Sequence, residues 1–192
     1  MKTAAIVLIA MMSFPLAVHA QKDSRPTPPP AQPGDKVSSP RKPAAIEGRV
    51  HIGDPASDFT LDSSTGTQVR LSRLRGDWIV LVFADRGDSL ADLRKIHDRM
   101  KPLGARIVGV CREKARRLKS IAQQDSLSFL LLGDVTGEIS AMYGLYDHDH
   151  SEIAPGFLVI DRRGVVRTAV LGQQLPAEQV AQIVRLTITG LR

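Results

Sequence analysis

Two uninterrupted apolar runs constrain this chain more than any other feature: Trp78-Ile-Val-Leu-Val-Phe83 and Arg106-Ile-Val-Gly-Val-Cys111. A strand with one wet face alternates apolar and polar residues, whereas a run without alternation needs cover on both faces. Between the two runs, Leu93, Ile96, Met100 and Leu103 recur three and four residues apart, the period of a helix with one buried stripe. Asp88 or Ser89 is placed to cap that helix and Gly104 to end it. Two buried strands joined through a helix make a parallel pair with a right-handed crossover, so the chain is α/β, a layered sheet covered by helices.

The rest of the pattern extends this core. Glu113 to Gln124 reads as a second helix with Ala115, Leu118 and Ile121 inward, Phe129 to Leu132 as a short buried strand, and Gly137 to Tyr143 as a short helix. Phe157 to Ile160 and Val165 to Val170 flank Asp161-Arg162-Arg163-Gly164 and read as a hairpin, which adds an antiparallel edge and makes the sheet mixed. Pro176 opens a last helix through Val180, Ile183, Val184 and Thr187. Residues 46–192 thus form one domain, long enough for a proper core. Repeats and heptads are absent, which excludes solenoids and coiled coils.

Ahead of the domain lie two other kinds of segment. Lys2, the apolar stretch Ala4 to Leu16 and the small-residue site Val18-His19-Ala20 read as a secretory signal over 1–20, cleaved after Ala20. The stretch is 13 residues, short of the roughly 20 a membrane-spanning helix needs, and no cysteine near Ala20 offers a lipid acceptor. The expected location is therefore exported, periplasmic or secreted, without stable membrane insertion after cleavage. Residues 21–45 hold seven of the twelve prolines and little that is apolar, the composition of a disordered, extended linker. The chain has 26 basic and 20 acidic side chains. The linker carries a surplus of three positive charges and Lys2 one more, so 46–192 keeps only two. With 4% aromatic residues, the basic stretch Arg112, Lys114, Arg116, Arg117 and Lys119 lacks the stacking side chains of a nucleic-acid site, and no nucleic-acid partner is expected.

Several blocks resemble the peroxiredoxin-like redoxins, the alkyl hydroperoxide reductase/thiol-specific antioxidant family. Gly53-Asp-Pro-Ala-Ser-Asp-Phe-Thr-Leu61 is similar to its opening "G-x-x-A-P-D-F-x-L", and Val69 to Gly76 looks like its next block. Phe129-Leu-Leu-Leu-Gly-Asp134 with Thr136, Gly137 and Tyr143-Gly-Leu145 resembles "F-P-L-L-x-D…G-x-x-a-x-x-Y-G-V", and Phe157 to Asp161 with Gly164 resembles the late hairpin. The resemblance implies a thioredoxin-like, three-layer fold, a mixed central sheet with helices on both faces. It implies a thiol-dependent peroxidase or oxidoreductase activity, antioxidant in role and needing no cofactor.

The family's catalytic signature is altered. Its peroxidatic motif "P-x-x-x-T-x-x-C" follows the first buried strand, and here its proline, threonine and cysteine positions hold Asp85, Ser89 and Asp92. The family's arginine belongs just before the Phe157 strand, but none occurs between Arg117 and Arg162; Ala154 stands there by spacing. A carboxylate beside a helix N-terminus is stabilised but cannot become a sulfenic acid. The expectation is a catalytically degenerate redoxin, a pseudoenzyme with a protein or small ligand at the vacated site. Two alternatives stand beside it. The lone Cys111 ends the second strand and offers a thiol for a residual oxidoreductase, although it also excludes an internal disulfide or a Cys-x-x-Cys pair. Asp147-His148-Asp149-His150 carries ligand types that suit zinc or copper, and copper-chaperone relatives of the fold place a histidine in that region. Those relatives also use two cysteines after the first strand, which this chain lacks. In an extended loop His148 and His150 point one way, and the resemblance to the copper-chaperone relatives, whose loop lies over the active site, implies Asp85, Asp88 and Asp92 as the source of further ligands. Two imidazoles fall short of about four ligands, so no structural metal is expected. The resemblance also places the fold's cis-proline near Pro155, one position off, with its isomer left open.

Overall fold

The computed structural model describes residues 50–190; the expected signal segment 1–20 and the expected linker 21–45 lie outside the described residues. The first buried run becomes β3 (Trp78–Ala84), preceded by a hairpin of β1 (Thr60–Ser63) and β2 (Gln68–Arg70). Next come α1 (Arg94–Met100), β4 (Ala105–Cys111), α2 (Ala115–Gln124), β5 (Leu130–Gly133) and α3 (Glu138–Met142). A two-stranded hairpin, β6 (Tyr146–Asp147) and β7 (Glu152–Ile153), leads to β8 (Gly156–Ile160), β9 (Val166–Leu171) and α4 (Ala177–Gly190).

The sheet order is β2-β1-β5-β4-β3-β8-β9. β3, β4 and β5 are parallel, while β8 pairs antiparallel with β3, as β1 does with β5. The fold is therefore the mixed α/β layering that the residue pattern predicts and the thioredoxin-like arrangement that the resemblance implies.

Alternation along the strands sorts the core into two layers. Val80, Val82, Ala84, Ile107, Cys111, Leu131, Phe157 and Val159 share one cluster with α1, α2 and α4 through Ile96, Met100, Leu118, Ile121, Val180 and Val184. Ile79, Leu81, Phe83, Val108, Val110, Leu132, Leu158 and Ile160 face the other way, against Tyr143 after α3, Leu71 and Ile153. Each fully buried aliphatic side chain contributes about 1.5–3 kcal/mol relative to its exposed state, so two-sided burial of β3 and β4 holds the middle of the sheet. Among the described residues no helix is long and apolar enough to cross a membrane.

The segment after β3 departs from a single capped helix. Gly87–Leu93 is a 3-10 helix, α1 occupies Arg94–Met100, and a 3-10 turn covers Lys101–Leu103. Neither Asp88 nor Ser89 caps it: Arg86 is the N-cap residue without a side-chain cap bond, and the Asp88 carboxylate is held instead by the Arg86 guanidinium at 2.7 Å. Pro102 has no N–H to continue the α-helical ladder, which accounts for the tightening before Gly104. Gly104 takes the left-handed conformation (φ +67°) and donates back to the Lys101 carbonyl, as a helix C-terminus requires. The second helix starts at Ala115 rather than Glu113, because Lys114 is extended.

Candidate functional site

At the C-terminal end of β3 a cleft of about 410 Å³ opens between the 3-10 helix, the start of β8 and the Gln173–Pro176 loop that enters α4. Ligands in open α/β sheets bind at carboxyl ends of strands. Val82, Ala84, Leu90, Leu93, Phe157 and Val180 line it with apolar surface, and Ser89, Asp92, Gln173 and Gln174 add polar groups. Ser89 and Asp92, two of the three positions matched to the peroxidatic motif, thus lie in the same cleft, and Asp85 does not line it.

Asp92 is 75% exposed and its Oδ1 meets Lys95 Nζ at 2.7 Å. The Lys95 ammonium holds its carboxyl below the usual carboxylate range. No backbone N–H of the described residues donates to this side chain, so the stabilising group is Lys95 and not the helix N-terminus expected from sequence. No lysine, arginine or histidine lines the cleft. Ala154 is half-buried and donates its N–H to the Leu145 carbonyl at 2.8 Å. Pro155 lines the cleft, and no peptide bond among the described residues is cis, so the Ala154–Pro155 bond is trans.

Cys111 is completely buried in the core cluster that contains Leu118 and is paired in register with Ala84 and Gly133. Burial pushes its thiol well above the ordinary range, and Glu113, Asp85 and Asp88 push the same way. A nucleophilic cysteine needs exposure and a lowered pKa. Cys111 has neither, and it does not line the cleft. The structure therefore corrects the candidate thiol to a buried core side chain.

The histidine loop is a tight turn and not an extended strand. Asp147 Oδ1 accepts the N–H groups of Asp149 and His150 at 2.9 and 3.1 Å, and its Oδ2 meets His150 Nδ1 at 2.9 Å. His148 stands edge-on to Tyr146, ring centroids 5.0 Å apart. The two imidazoles are tied to different partners, so they do not form one donor set. The acidic side chains expected to help are each spent on a cation of their own: Asp85 on Arg112, Asp88 on Arg86 and Asp92 on Lys95. Among the described residues no group of three or more His, Cys, Asp or Glu side chains is gathered closely enough to hold a metal ion.

Sequence reasoning missed the organising role of Asp85. Its Oδ1 accepts from Arg112 Nε at 3.0 Å and from the Ile153 N–H at 3.2 Å, while its carbonyl accepts the Arg112 N–H at 3.1 Å. It joins the ends of β3 and β4 to the β6–β7 hairpin. No local pattern points from residue 85 to partners 27 and 68 positions away. Two carboxylates in the resembling blocks also prove structural. Buried Asp134 accepts the N–H and hydroxyl of Ser140, both at 2.7 Å, and so anchors α3. Asp161 accepts the N–H groups of Arg163 and Val165, both at 2.9 Å, and the Arg167 guanidinium at 2.6 Å.

Sheet order, helix placement and a cleft at the end of β3 define a thioredoxin-like domain of the peroxiredoxin kind. The sequence model of the AhpC/TSA family matches residues 52–169, and the chain belongs to that family of peroxiredoxin-like redoxins. Chloroplastic peroxiredoxin Q of Triticum aestivum is 26% identical over 160 residues, 77% of this chain and 73% of that protein. Peroxiredoxin-2 of Rattus norvegicus is 26% identical over 162 residues, covering 72% and 78% respectively. The crystal structure of peroxidoxin BcpB from Mycobacterium tuberculosis superimposes with a TM-score of 0.66 at 24% identity, over 74% of this chain and 99% of that one.

Proposed function

We propose that this protein keeps the redoxin fold, has lost the thiol peroxidase reaction, and serves as an exported binding protein that takes a partner or small ligand at the cleft beside β3. The observation that carries the reading is Asp92: at the position that resembles the peroxidatic cysteine stands an exposed carboxylate bound to Lys95. A carboxylate carries no sulfur lone pair to attack a peroxide oxygen, so no sulfenate can form there. The buried state of Cys111 supports the same reading, because its thiol is not available as a substitute nucleophile. The family's arginine has no counterpart, since Ala154 stands at its position by spacing, and no arginine lines the cleft to orient a peroxide. Export belongs to the proposal and rests on Lys2, the apolar stretch Ala4 to Leu16 and the Val18-His19-Ala20 site.

The test is hydrogen peroxide consumption by purified protein with dithiothreitol as reductant. The rate stays at background for the wild type and for Cys111→Ser, and Asp92→Cys restores little because Ala154 stands where the resemblance places the family's arginine. A wild-type rate well above background overturns the reading, and its loss in Cys111→Ser would assign the activity to that thiol.

A further inference from the structure

The walls of the cleft say what class of ligand it takes. Its floor is apolar: Val82, Leu90, Leu93, Phe157 and Val180 are all buried and line it. Among the lining residues Asp92 alone carries a formal charge. Lys95 engages Asp92 Oδ1, and no hydrogen bond within the described residues engages Oδ2. The neutral rim, Ser89, Gln173 and Gln174, is exposed and offers donors and acceptors alike. A volume of about 410 Å³ falls inside the range of small-ligand sites.

We propose that the cleft binds small molecules with an apolar body and one cationic head, the body against Val82, Phe157 and Val180 and the ammonium or guanidinium at Asp92 Oδ2. This rests on the reading of the cleft as a binding site in place of a peroxidase centre. Anionic heads are disfavoured, because they would face the Asp92 carboxylate with no cation among the lining residues to receive them. Lys95 already compensates part of the Asp92 charge and the pair is solvent-exposed. The head group therefore contributes selectivity, and the apolar floor contributes most of the affinity.

Three ligands of one chain length separate these contributions: hexylamine, hexanol and hexanoate. Each is titrated into methyl-labelled protein, with the Val82, Leu90, Leu93 and Val180 methyl signals as readout. Hexylamine is expected to bind about two- to fivefold more tightly than hexanol, the range of an exposed ion pair, with hexanoate weakest. Asp92→Asn, a surface change that leaves the core intact, brings hexylamine to the level of hexanol. Salt at 0.5 M narrows the wild-type preference in the same direction. Equal affinities for the three heads, a preference retained in Asp92→Asn, or shifts only at methyl groups outside the cleft would each overturn the proposal. Peroxide turnover would instead remove the underlying reading, so the two failures are told apart by different assays.

Discussion

Asp161 tests whether a buried carboxylate, and not the apolar pattern alone, closes the β8–β9 hairpin. It is 6% exposed and accepts two backbone N–H groups and the Arg167 guanidinium. Hydrogen bonds to a charged group are worth about 1.5–3 kcal/mol each, and losses within one network do not add. The Arg167 side chain is already one quarter exposed and turns to solvent when its partner is removed. Asp161→Ala therefore costs about 3 kcal/mol, below the simple sum. For a domain of this size that lowers Tm by roughly 6–12 °C. Asp161→Asn keeps an acceptor for the Arg163 and Val165 N–H groups and loses the charge, so it costs about half as much. Burial alone would raise the Asp161 pKa, but the N–H groups of Val165 and Arg163 and the Arg167 side chain outweigh it and hold the carboxyl below the usual value of 3.8. A lowered pKa in the folded state means that the stabilisation is complete above the unfolded value and is lost as pH falls through the folded one. The gap between wild type and Asp161→Ala consequently narrows below about pH 4. Urea unfolding at pH 7 and at a series of acidic pH values measures both. An Asp161→Ala midpoint within error of wild type, or a gap that widens toward acid, refutes the reasoning.

Cys111 in native protein should resist a thiol-reactive chromophore and release one equivalent in denaturant, given its full burial; rapid native labelling would contradict the buried-thiol assignment. His97 packs against Phe129, its Nδ1 lacks a hydrogen-bond partner, and burial followed by the Lys101 charge lowers its pKa from 6.5. A lowered histidine pKa means the unfolded chain takes up the proton first, so this contribution to stability is lost as pH falls below 6.5. Unfolding curves of His97→Gln should show a smaller loss of stability between pH 7 and pH 5 than wild type, and an unchanged slope would exclude His97 as the cause. Intact mass of protein from the envelope fraction of an expressing bacterium should correspond to a chain starting at Gln21; a species that retains Met1 would oppose the signal assignment.

The parts of the fold legible in the sequence are those where burial dominates the residue choice. β3 and β4 are covered on both faces, so their composition alone marks them. The helical stripe Leu93, Ile96 and Met100 is buried as its period implies, even though the backbone there divides between 3-10 and α geometry. β1 and β2 were invisible as strands because they are only four and three residues long and mostly solvent-facing. Their pairing is set by the tertiary contact of β1 with β5, which no local propensity encodes. The same limit explains the site. Asp92 could be matched to the motif's cysteine position by counting along the chain, and the cleft does hold Asp92 and Ser89 together. The partner of Asp85 could not be counted, because Arg112 reaches it only through the parallel register of β3 and β4, whereas Asp88 and Asp92 pair with cations two and three residues away. The histidine loop went the other way: the spacing favoured a shared face, and the Asp147 carboxylate folded it into a turn instead.

The separation between fold and chemistry follows from which side chains do which work. Asp134 anchors α3, Asp161 closes the late hairpin, and the Tyr143 hydroxyl donates to the Ser57 carbonyl at 2.6 Å while its ring packs on Phe59 and Phe83. All three lie away from the cleft, and all three stand in blocks that resemble the family. The positions that differ from the family, Asp85, Ser89, Asp92 and Ala154, gather at one end of β3, and the three acidic residues of that turn are each matched to a nearby cation. A reactive thiolate site is held together against desolvation and charge imbalance, and such sites are commonly bought at the expense of stability. On the proposed reading, a locally paired carboxylate at 92 removes that demand without disturbing Asp134, Tyr143 or Asp161. On the proposed reading a single Asp92→Cys exchange would have Lys95 beside it but still lack the arginine that the resemblance places at Ala154. The proposed loss of peroxidase chemistry predicts that activity would need coordinated changes at 85, 92 and 154, and the fold anchors Asp134, Tyr143 and Asp161 lie outside the cleft lining.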